Sequence, residues 1–380
     1  MMIFDPITVI VCAAVLLLAI VTPLFNVFFR KQKTAKEPVS EDNQPKISVL
    51  LTPHEEAREL EKNLPAYLNQ DYEAGYEVIV VAEKGDSETE DILKRHTSNP
   101  HLYATFIPET SRYMSRKKLS VTLGVKAAKN EWVIMTEPSM KPDTDKWLKT
   151  MAAHCRDGVN LVLGYTQYDE ETPSYYRFER FHTACYLMRK GWKGTAYRTN
   201  MSHVAFRKSE FLEKNGYQGN LKYIRGEYDF LVNKYAKKGK TIVETSPEAW
   251  LTESCPSRKT WFNKHMYYQE TRKHLSRSIP FRFVYNFDQM ALHLNYLAMI
   301  LALAYSIFFQ NWIIVVASVL ALIITVAQRI VYARKAFRNF NINIPAWKAI
   351  PYEIRLLWSH LHFRQKYVKA DKYDFISHKI

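Results

Sequence analysis

Acidic side chains follow three predicted buried strands, at the positions where an open α/β sheet carries its chemistry. The apolar runs at residues 47–51, 77–81 and 132–135 are typical of such strands. Glu56, Glu83 and Glu137 come shortly after these three runs, in that order. Ligands bind outside the carboxyl ends of the strands in such sheets. Carboxylates there can hold a divalent cation or take a proton from a reacting hydroxyl.

Helical segments alternate with these strands. Apolar spacing predicts helices over residues 55–69 and 119–129, and a third helix over 87–95 with Ser87 as a candidate N-cap. A further strand is expected at 102–107. The alternation predicts a mostly parallel sheet with helices on its faces, which is a Rossmann-like core. The sequence has neither G-x-x-x-x-G-K-[ST] nor G-x-G-x-x-G, so P-loop and dinucleotide folds lack support.

Two apolar blocks predict three transmembrane helices. The stretch from Pro6 to Phe29 has no charge and is long enough to span a bilayer. A cleaved signal peptide is the alternative, but the basic residues follow this stretch instead of preceding it. The block from about Ala291 to Val326 is too long for one span, and Gln310-Asn311 interrupts it. A helical hairpin explains this block best.

Basic residues set the expected orientation. They follow the first span and flank the hairpin, at Arg30, Lys31, Lys33, Lys36, Arg272, Lys273, Arg277, Arg282, Arg329, Arg334, Lys335 and Arg338. The positive-inside rule therefore places residues 30–285 and the C-terminus in the cytoplasm, in a protein of the cytoplasmic (inner) membrane. The predicted organisation is an N-terminal anchor (1–30), a linker (31–45), a soluble domain (46–285), a transmembrane hairpin (286–332) and a cytoplasmic interfacial tail (333–380).

The tail mixes aromatic and basic residues at helical spacing. This pattern predicts amphipathic helices that either lie on the membrane surface or pack on the soluble domain. The four cysteines, Cys12, Cys155, Cys185 and Cys255, form no CxxC pair, and we interpret the last three as reduced thiols of a cytoplasmic domain.

The net charge of +15 suits an anionic partner such as a membrane surface, a nucleotide or a lipid phosphate. Much of this charge flanks the membrane helices, where topology explains it, so no nucleic-acid partner is predicted.

The soluble segment resembles family 2 glycosyltransferases with the GT-A fold. SVLLTPHEEARELEKNLPAYLNQDYEAGYEVIVVAEKGDSETEDIL, residues 48–93, is similar to the opening unit of that family. KKLSVTLGVKAAKNEWVIMTEPSMKPDTDKWL, residues 117–148, resembles its K-x-x-A-L-N-x-G and D-x-D region. RGEYDFL and QETRKH occupy the places of its G-E-D and Q-x-x-R-W motifs. The resemblance covers residues 47–274 and implies a Rossmann-like GT-A domain that binds a nucleotide-sugar.

The resemblance implies a donor-binding set at the first strand ends. Glu56 matches the acidic residue beside the base and ribose, and Glu83 matches the second Asp of the second strand end, whereas Ala82 replaces the first. Lys117 or Lys118 would offset diphosphate charge, with a surface lysine as the alternative.

Further along the chain, Gln269 and Arg272 match Q-x-x-R. Arg272 would then hold phosphate oxygens, unless it is only one of the juxtamembrane basic residues.

The expected metal site and general base are both altered. Glu137-Pro138-Ser139 stands at the D-x-D position, so Glu137 can supply one carboxylate to Mg²⁺ or Mn²⁺ while Ser139 offers a neutral hydroxyl. Metal binding is therefore weakened, completed by other groups, or absent. Tyr228 stands where the family places its catalytic Asp. Asp229 and Glu227 are the candidate bases, Asp229 being favoured, with neither as the third possibility.

Two functions are compatible with this pattern. The first is a membrane-bound glycosyltransferase that moves a sugar from a nucleotide-sugar to a lipid-linked or cell-envelope polysaccharide acceptor. The second is a catalytically degenerate relative that acts as a membrane scaffold or binding module, with its chemistry lost at Ala82, Ser139 and Tyr228.

Overall fold

A computed structural model describes residues 5–29, 44–107, 115–194, 196–200 and 202–377, without the side chains of residues 280–282, 284 and 285. The chain divides into two compact units. One comprises residues 1–32 and 277–362, and the other comprises residues 33–276 and 363–380. The predicted basic residues Arg30, Lys31, Lys33 and Lys36 lie outside the described residues.

The larger unit is built on a mostly parallel sheet. Within the described residues it has seven strands, in the order β3-β2-β1-β4-β8-β6-β9. The strands are β1 Ile47–Leu51, β2 Tyr76–Glu83, β3 Leu102–Ile107, β4 Trp132–Thr136, β6 Leu161–Gly164, β8 His203–Arg207 and β9 Thr241–Glu244. Strand β1 pairs in parallel with β2 and β4, and β8 runs antiparallel to both β4 and β6. The predicted α/β class and parallel core are confirmed.

A second, three-stranded sheet lies in the same unit. Its order is β5-β10-β7 among the described residues. The strands are β5 Met140–Pro142, β7 Thr166–Tyr168 and β10 Leu251–Glu253. Strand β5 follows Glu137 after a tight turn, in which the Met140 N–H donates to the Glu137 carbonyl. The second sheet therefore begins directly beyond the candidate site.

Helices cover the faces of the large sheet. In the larger unit they are α2 Ala57–Leu68, α3 Ser87–Arg95, α4 Arg116–Ala127, α5 Trp147–Ala152, α6 Ser174–Trp192, α7 Lys208–Glu213, α8 Glu227–Tyr235 and α9 Arg258–Thr271. Short 3-10 helices occupy Pro247–Ala249 and Lys372–Phe375. Asp86, not Ser87, caps α3, because its carboxylate accepts from the Thr89 N–H at 3.2 Å. The predicted cap was therefore wrong by one residue.

The core explains why these segments fold as they do. Every residue of β1 and β4 is buried, as expected for strands covered on both faces. Helix α4 packs very closely on β1. A Cβ atom built at Gly124 would lie 2.2 Å from Leu50 Cδ1, so only glycine permits this approach. This packing holds α4 close against the large sheet.

The smaller unit contains three helices that are long and apolar enough to cross a membrane, among the residues described. They span Pro6–Phe25, Asn286–Phe308 and Trp312–Asn339. The first comprises α1 Pro6–Val21 and the 3-10 turn Thr22–Phe25, and the others belong to α10 Ile279–Phe308 and α11 Trp312–Asn339. The hairpin turns at Gln310, whose φ of 50° is left-handed, as the polar Gln310-Asn311 pair predicted.

A buried ion pair also stabilises this unit. Arg329 on α11 donates to Glu353 on α12 (Ala349–Lys369) at 2.7 Å, after a short 3-10 turn at Ala346–Lys348. The Asn26 amide donates to the same carboxylate at 2.5 Å.

The end of the tail belongs to the larger unit. Phe363 contacts the rings of Trp261 and His265 on α9, and Tyr367 donates to Glu270. From Phe363 onward, the tail therefore packs on the larger unit, in agreement with the predicted alternative in which the tail packs on the domain of residues 46–285. The bounds of the five predicted segments remain predictions.

Candidate active site

Five charged side chains gather at the carboxyl ends of β1 and β4 and at the start of α8. We call this set, Glu56, Lys117, Glu137, Arg225 and Glu227, the strand-end cluster. Glu56 lies at the start of α2, and Glu137 follows β4 directly. Sequence separation hides this proximity, because the members come from residues 56 to 227. The parallel neighbours β1 and β4 bring their ends to one edge of the sheet.

Lys117 lies at the centre of the cluster. Its ammonium group is buried, donates to the Thr52 carbonyl at 2.6 Å and forms an ion pair with Glu137. It lies 3.8 Å from Glu56 Oε2. Burial alone would lower the pKa of Lys117, but the Glu137 and Glu56 carboxylates outweigh burial and raise it. Lys117 is therefore a charged group held beneath two carboxylates.

One carboxylate oxygen of Glu56 lacks a hydrogen-bond partner in the described part of the chain. Its Oε2 atom is buried without a hydrogen bond from any described residue. Burial raises the pKa of Glu56 to about 7, against the opposing charge of Lys117 and with a further contribution from Glu137. Near neutral pH this carboxyl group can thus gain or lose a proton when an anionic ligand arrives.

Glu227 begins α8 directly after a glycine in the left-handed region. The preceding residue, Gly226, has a φ of 96°, which favours glycine. Glu227 is 5% exposed, and its Oε2 atom has no hydrogen-bond partner among the described residues. Arg225 feels the charges of Glu227, Glu137 and Glu56, in that order of strength, and they outweigh the effect of burial to raise its pKa. Glu227 is therefore a buried carboxylate of the cluster whose Oε2 atom accepts no hydrogen bond from a described residue.

Asp229 lies in a different environment. Its carboxylate accepts from the Thr199 N–H at 3.1 Å and pairs with Arg198 at 3.5 Å. Arg198 in turn stacks over the Tyr268 ring at 3.9 Å. Burial raises the pKa of Asp229 to about 6, against the opposing charge of Arg198. Both carboxylate oxygens of Asp229 already have partners, in contrast to Glu227.

Tyr228 separates these two acids. Its hydroxyl group is buried near Glu137 but makes no hydrogen bond of good geometry with a described residue. Burial raises the pKa of Tyr228 well above its usual value, with further contributions from Glu137 and Glu227. The phenol therefore stays protonated and cannot replace a carboxylate as a base at neutral pH.

The first three residues of α4, Arg116, Lys117 and Lys118, are basic and contact different partners. Arg116 pairs with Glu83 at the end of β2, and His54 contacts the same carboxylate at 2.6 Å. Lys118 donates to the backbone carbonyls of Tyr223 and, at 3.2 Å, Arg225. Burial lowers the pKa of Lys118 to about 8. Lys118 thus holds the loop that presents Glu227, while Lys117 alone enters the strand-end cluster.

The last two predicted residues lie on α9 and its C-terminal cap. The Arg272 guanidinium donates to Gln269 Oε1 at 3.2 Å. Gln269 is buried, whereas Arg272 is exposed. No described contact joins this pair to the strand-end cluster. Sequence reasoning missed Arg225, although its place directly before Gly226-Glu227 was a usable signal.

A divalent cation fits this set of residues poorly. Such an ion needs several hard oxygen ligands. In the described residues, no three His, Cys, Asp or Glu side chains lie together in a way that could hold a metal. Glu137, the one carboxylate at the D-x-D position, is already neutralised by Lys117. The ammonium group would repel a second cation brought to the same carboxylate.

Changing Gly226 to Ala should disturb the site. The new Cβ atom would lie 2.7 Å from the Thr271 side chain, in a backbone conformation that alanine adopts with strain. We expect the free energy of unfolding to fall by about 1–3 kcal/mol, and activity to fall because Glu227 shifts. Gly219→Ala is the matched control, since its φ is 94° and no atom lies within 4 Å of the new Cβ. Equal losses of activity in both variants would contradict this interpretation.

Comparison with known proteins identifies the class. The sequence profile of glycosyl transferase family 21 matches residues 11–359, and the chain belongs to this family. The protein is thus a glycosyltransferase, as predicted, but the specific assignment to family 2 is not confirmed. No curated protein sequence matches the chain significantly.

Solved structures support the fold. The chain is similar to the mannosyltransferase PcManGT from Pyrobaculum calidifontis, in complex with GDP-Man and Mn²⁺, with a TM-score of 0.53 and 15% identity. That similarity covers 93% of this chain and 99% of the other. S. aureus TarS residues 1–349, in complex with UDP-GlcNAc, matches with a TM-score of 0.43 and 11% identity, covering 85% of this chain and 92% of that chain. Only the first similarity is strong enough to support the fold.

Proposed function

We propose that this protein is a membrane-anchored glycosyltransferase that moves a sugar from a nucleotide-sugar to a lipid-linked or cell-envelope polysaccharide acceptor. The observation that carries the proposal is the strand-end cluster, at the edge of the sheet where α/β folds bind ligands, in a chain with three membrane-length helices. Membrane attachment favours an acceptor that is itself confined to the membrane. GDP-Man and UDP-GlcNAc, bound by the structural neighbours, head the donor panel to be tested.

The proposed roles follow from the contacts of each residue. Glu56 and Glu83 lie at the ends of β1 and β2 and would contact the base and ribose of the donor. Glu227 would take the proton from the acceptor hydroxyl, because one of its oxygens is unused while Asp229 is paired with Arg198. Gln269 and Arg272 would contact the donor from α9. Lys118 would position the loop before α8.

Sugar transfer tests the function directly. Membranes containing the protein would be incubated with each radiolabelled nucleotide-sugar and an extract of total lipid, and label would be counted in the organic and polymer fractions. We expect one donor to label the organic or the polymer fraction. Tight donor binding without any transfer would favour the scaffold function instead.

Thiol labelling tests the proposed orientation. Cys255 is exposed, whereas Cys155 and Cys185 are buried and Cys12 lies in the first membrane-length helix. A membrane-impermeant maleimide should therefore label the protein in inverted inner-membrane vesicles but not in intact cells. Cys255→Ser should abolish this labelling. Labelling of intact cells at Cys255 would place the soluble unit on the other side of the membrane.

A further inference from the structure

We propose that Lys117 and Arg225 together replace the divalent cation at this site, so that the protein binds a nucleoside diphosphate without added metal. The inference rests on the proposed function and adds how its donor is bound. It arises from the poor fit between the residues present and a metal ion. Lys117 would neutralise the carboxylates, and Arg225 would bind the phosphate oxygens.

Lys117 is more deeply buried than Glu56 and Glu137 and neutralises their charge. Its side chain is 3% exposed, whereas those of Glu56 and Glu137 are 25% and 11% exposed. An arriving phosphate therefore meets the carboxylates before it meets the ammonium group. In surroundings of low dielectric, the Lys117 charge cancels much of their repulsion. Lys117 thus acts through position and need not touch the ligand.

The net charge of the strand-end cluster favours binding of an anion without a metal ion. The cluster has three carboxylates against two cations that cannot easily lose their protons. Glu56 has its pKa raised to about 7, chiefly by burial, so it can take up a proton as an anion approaches. With Glu56 neutral, two negative charges face two positive charges. The cluster then no longer opposes a diphosphate.

Arg225 supplies the contact that Lys117 cannot make. Arg225 is half-buried, and the loop that bears it is held by Lys118. Guanidinium groups bind phosphate oxygens in pairs of parallel hydrogen bonds. The buried Oε2 atoms of Glu56 and Glu227 accept no hydrogen bond from a described residue, so they could accept one from a hydroxyl group of the ligand.

The test is binding of UDP, GDP and ADP to the purified full-length protein in detergent, by calorimetry, in EDTA and in Mn²⁺ or Mg²⁺. We expect at least one nucleotide to bind with dissociation constants that agree within about threefold with and without the cation. Binding that is lost in EDTA would overturn this inference and leave the proposed function standing. No binding under either condition would overturn the proposed function as well.

Substitutions test which residues are responsible for nucleotide binding without metal. Arg225→Gln should weaken binding by about 10- to 100-fold. Lys117→Gln should also weaken it, but this variant leaves buried carboxylates without a partner and could unfold. The double variant Lys117→Gln with Glu137→Gln removes both charges of the pair and keeps the test interpretable. Lys126→Gln, an exposed residue on the same helix, is the matched control. The cluster keeps its net charge in the double variant, so loss of binding there, or unchanged binding in folded Arg225→Gln, would contradict the assigned roles.

Discussion

Glu227→Gln is expected to lower kcat by about 10²- to 10⁴-fold, with little change in KM for the donor. The amide keeps the size of the side chain but cannot accept the proton of the acceptor hydroxyl. Glu227 is the carboxylate at the start of α8 whose Oε2 atom has no hydrogen-bond partner among the described residues, and it belongs to the strand-end cluster with Arg225. The measurement is steady-state sugar transfer with donor and acceptor varied separately.

Asp229→Asn is the comparison variant that tests whether Glu227, and not Asp229, is the general base. Asp229 accepts from the Thr199 N–H and pairs with the buried Arg198, so its loss should reduce stability more than the chemical step. We therefore expect folded Asp229→Asn to keep most of its kcat. The reverse pattern, with an active Glu227→Gln and an inactive but folded Asp229→Asn, would assign the base to Asp229.

Glu253→Gln is expected to lower the free energy of unfolding by about 3–5 kcal/mol. Glu253 on β10 is 3% exposed and pairs with Arg180 on α6 and with Lys264 on α9. Without this carboxylate, the buried Arg180 keeps neutral partners, such as the Thr166 hydroxyl at 2.5 Å and the Tyr168 ring at 4.3 Å. Lys264 is nearly half-exposed and can turn to solvent, so Arg180 accounts for most of the expected loss.

The control for Glu253 is a carboxylate in a solvent-exposed pair. Glu61 pairs with Arg95 at 2.5 Å, and both side chains are 58% exposed. Glu61→Gln should cost less than about 1 kcal/mol, because water screens the pair. Unfolding of the purified variants, followed by tryptophan fluorescence, measures both. A loss for Glu253→Gln no larger than that for Glu61→Gln would contradict the importance of the buried pair.

Much of the fold could be predicted because its signals are local. A span needs only length and apolar composition, and the break at Gln310-Asn311 fell where the hairpin turns. Strands β1 and β3 have the predicted bounds, since continuous apolar runs between polar segments mark buried strands. The second sheet was not predicted, because strands as short as Met140–Pro142 have no periodicity to detect.

The candidate site was harder to predict, because its contacts join distant residues. The resemblance to the G-E-D motif favoured Asp229 over Glu227, but a sequence motif cannot reveal that Arg198 pairs with Asp229. Sequence also left Lys117 and Lys118 equivalent. The structure separates them by helix geometry, with Lys117 beneath Glu137 and Lys118 beneath the loop before α8. Neighbouring residues on a helix point in different directions, and only the packing of that helix decides which one enters a site.

The most direct test of the central claim is an experimental structure of the full-length protein with a bound nucleotide-sugar or its nucleoside diphosphate. We expect the diphosphate at the carboxyl ends of β1 and β4, with the Arg225 guanidinium on its oxygens and the Lys117–Glu137 pair intact beneath it. A nucleotide bound elsewhere, or a diphosphate held by a cation that has displaced Lys117 from Glu137, would contradict this account.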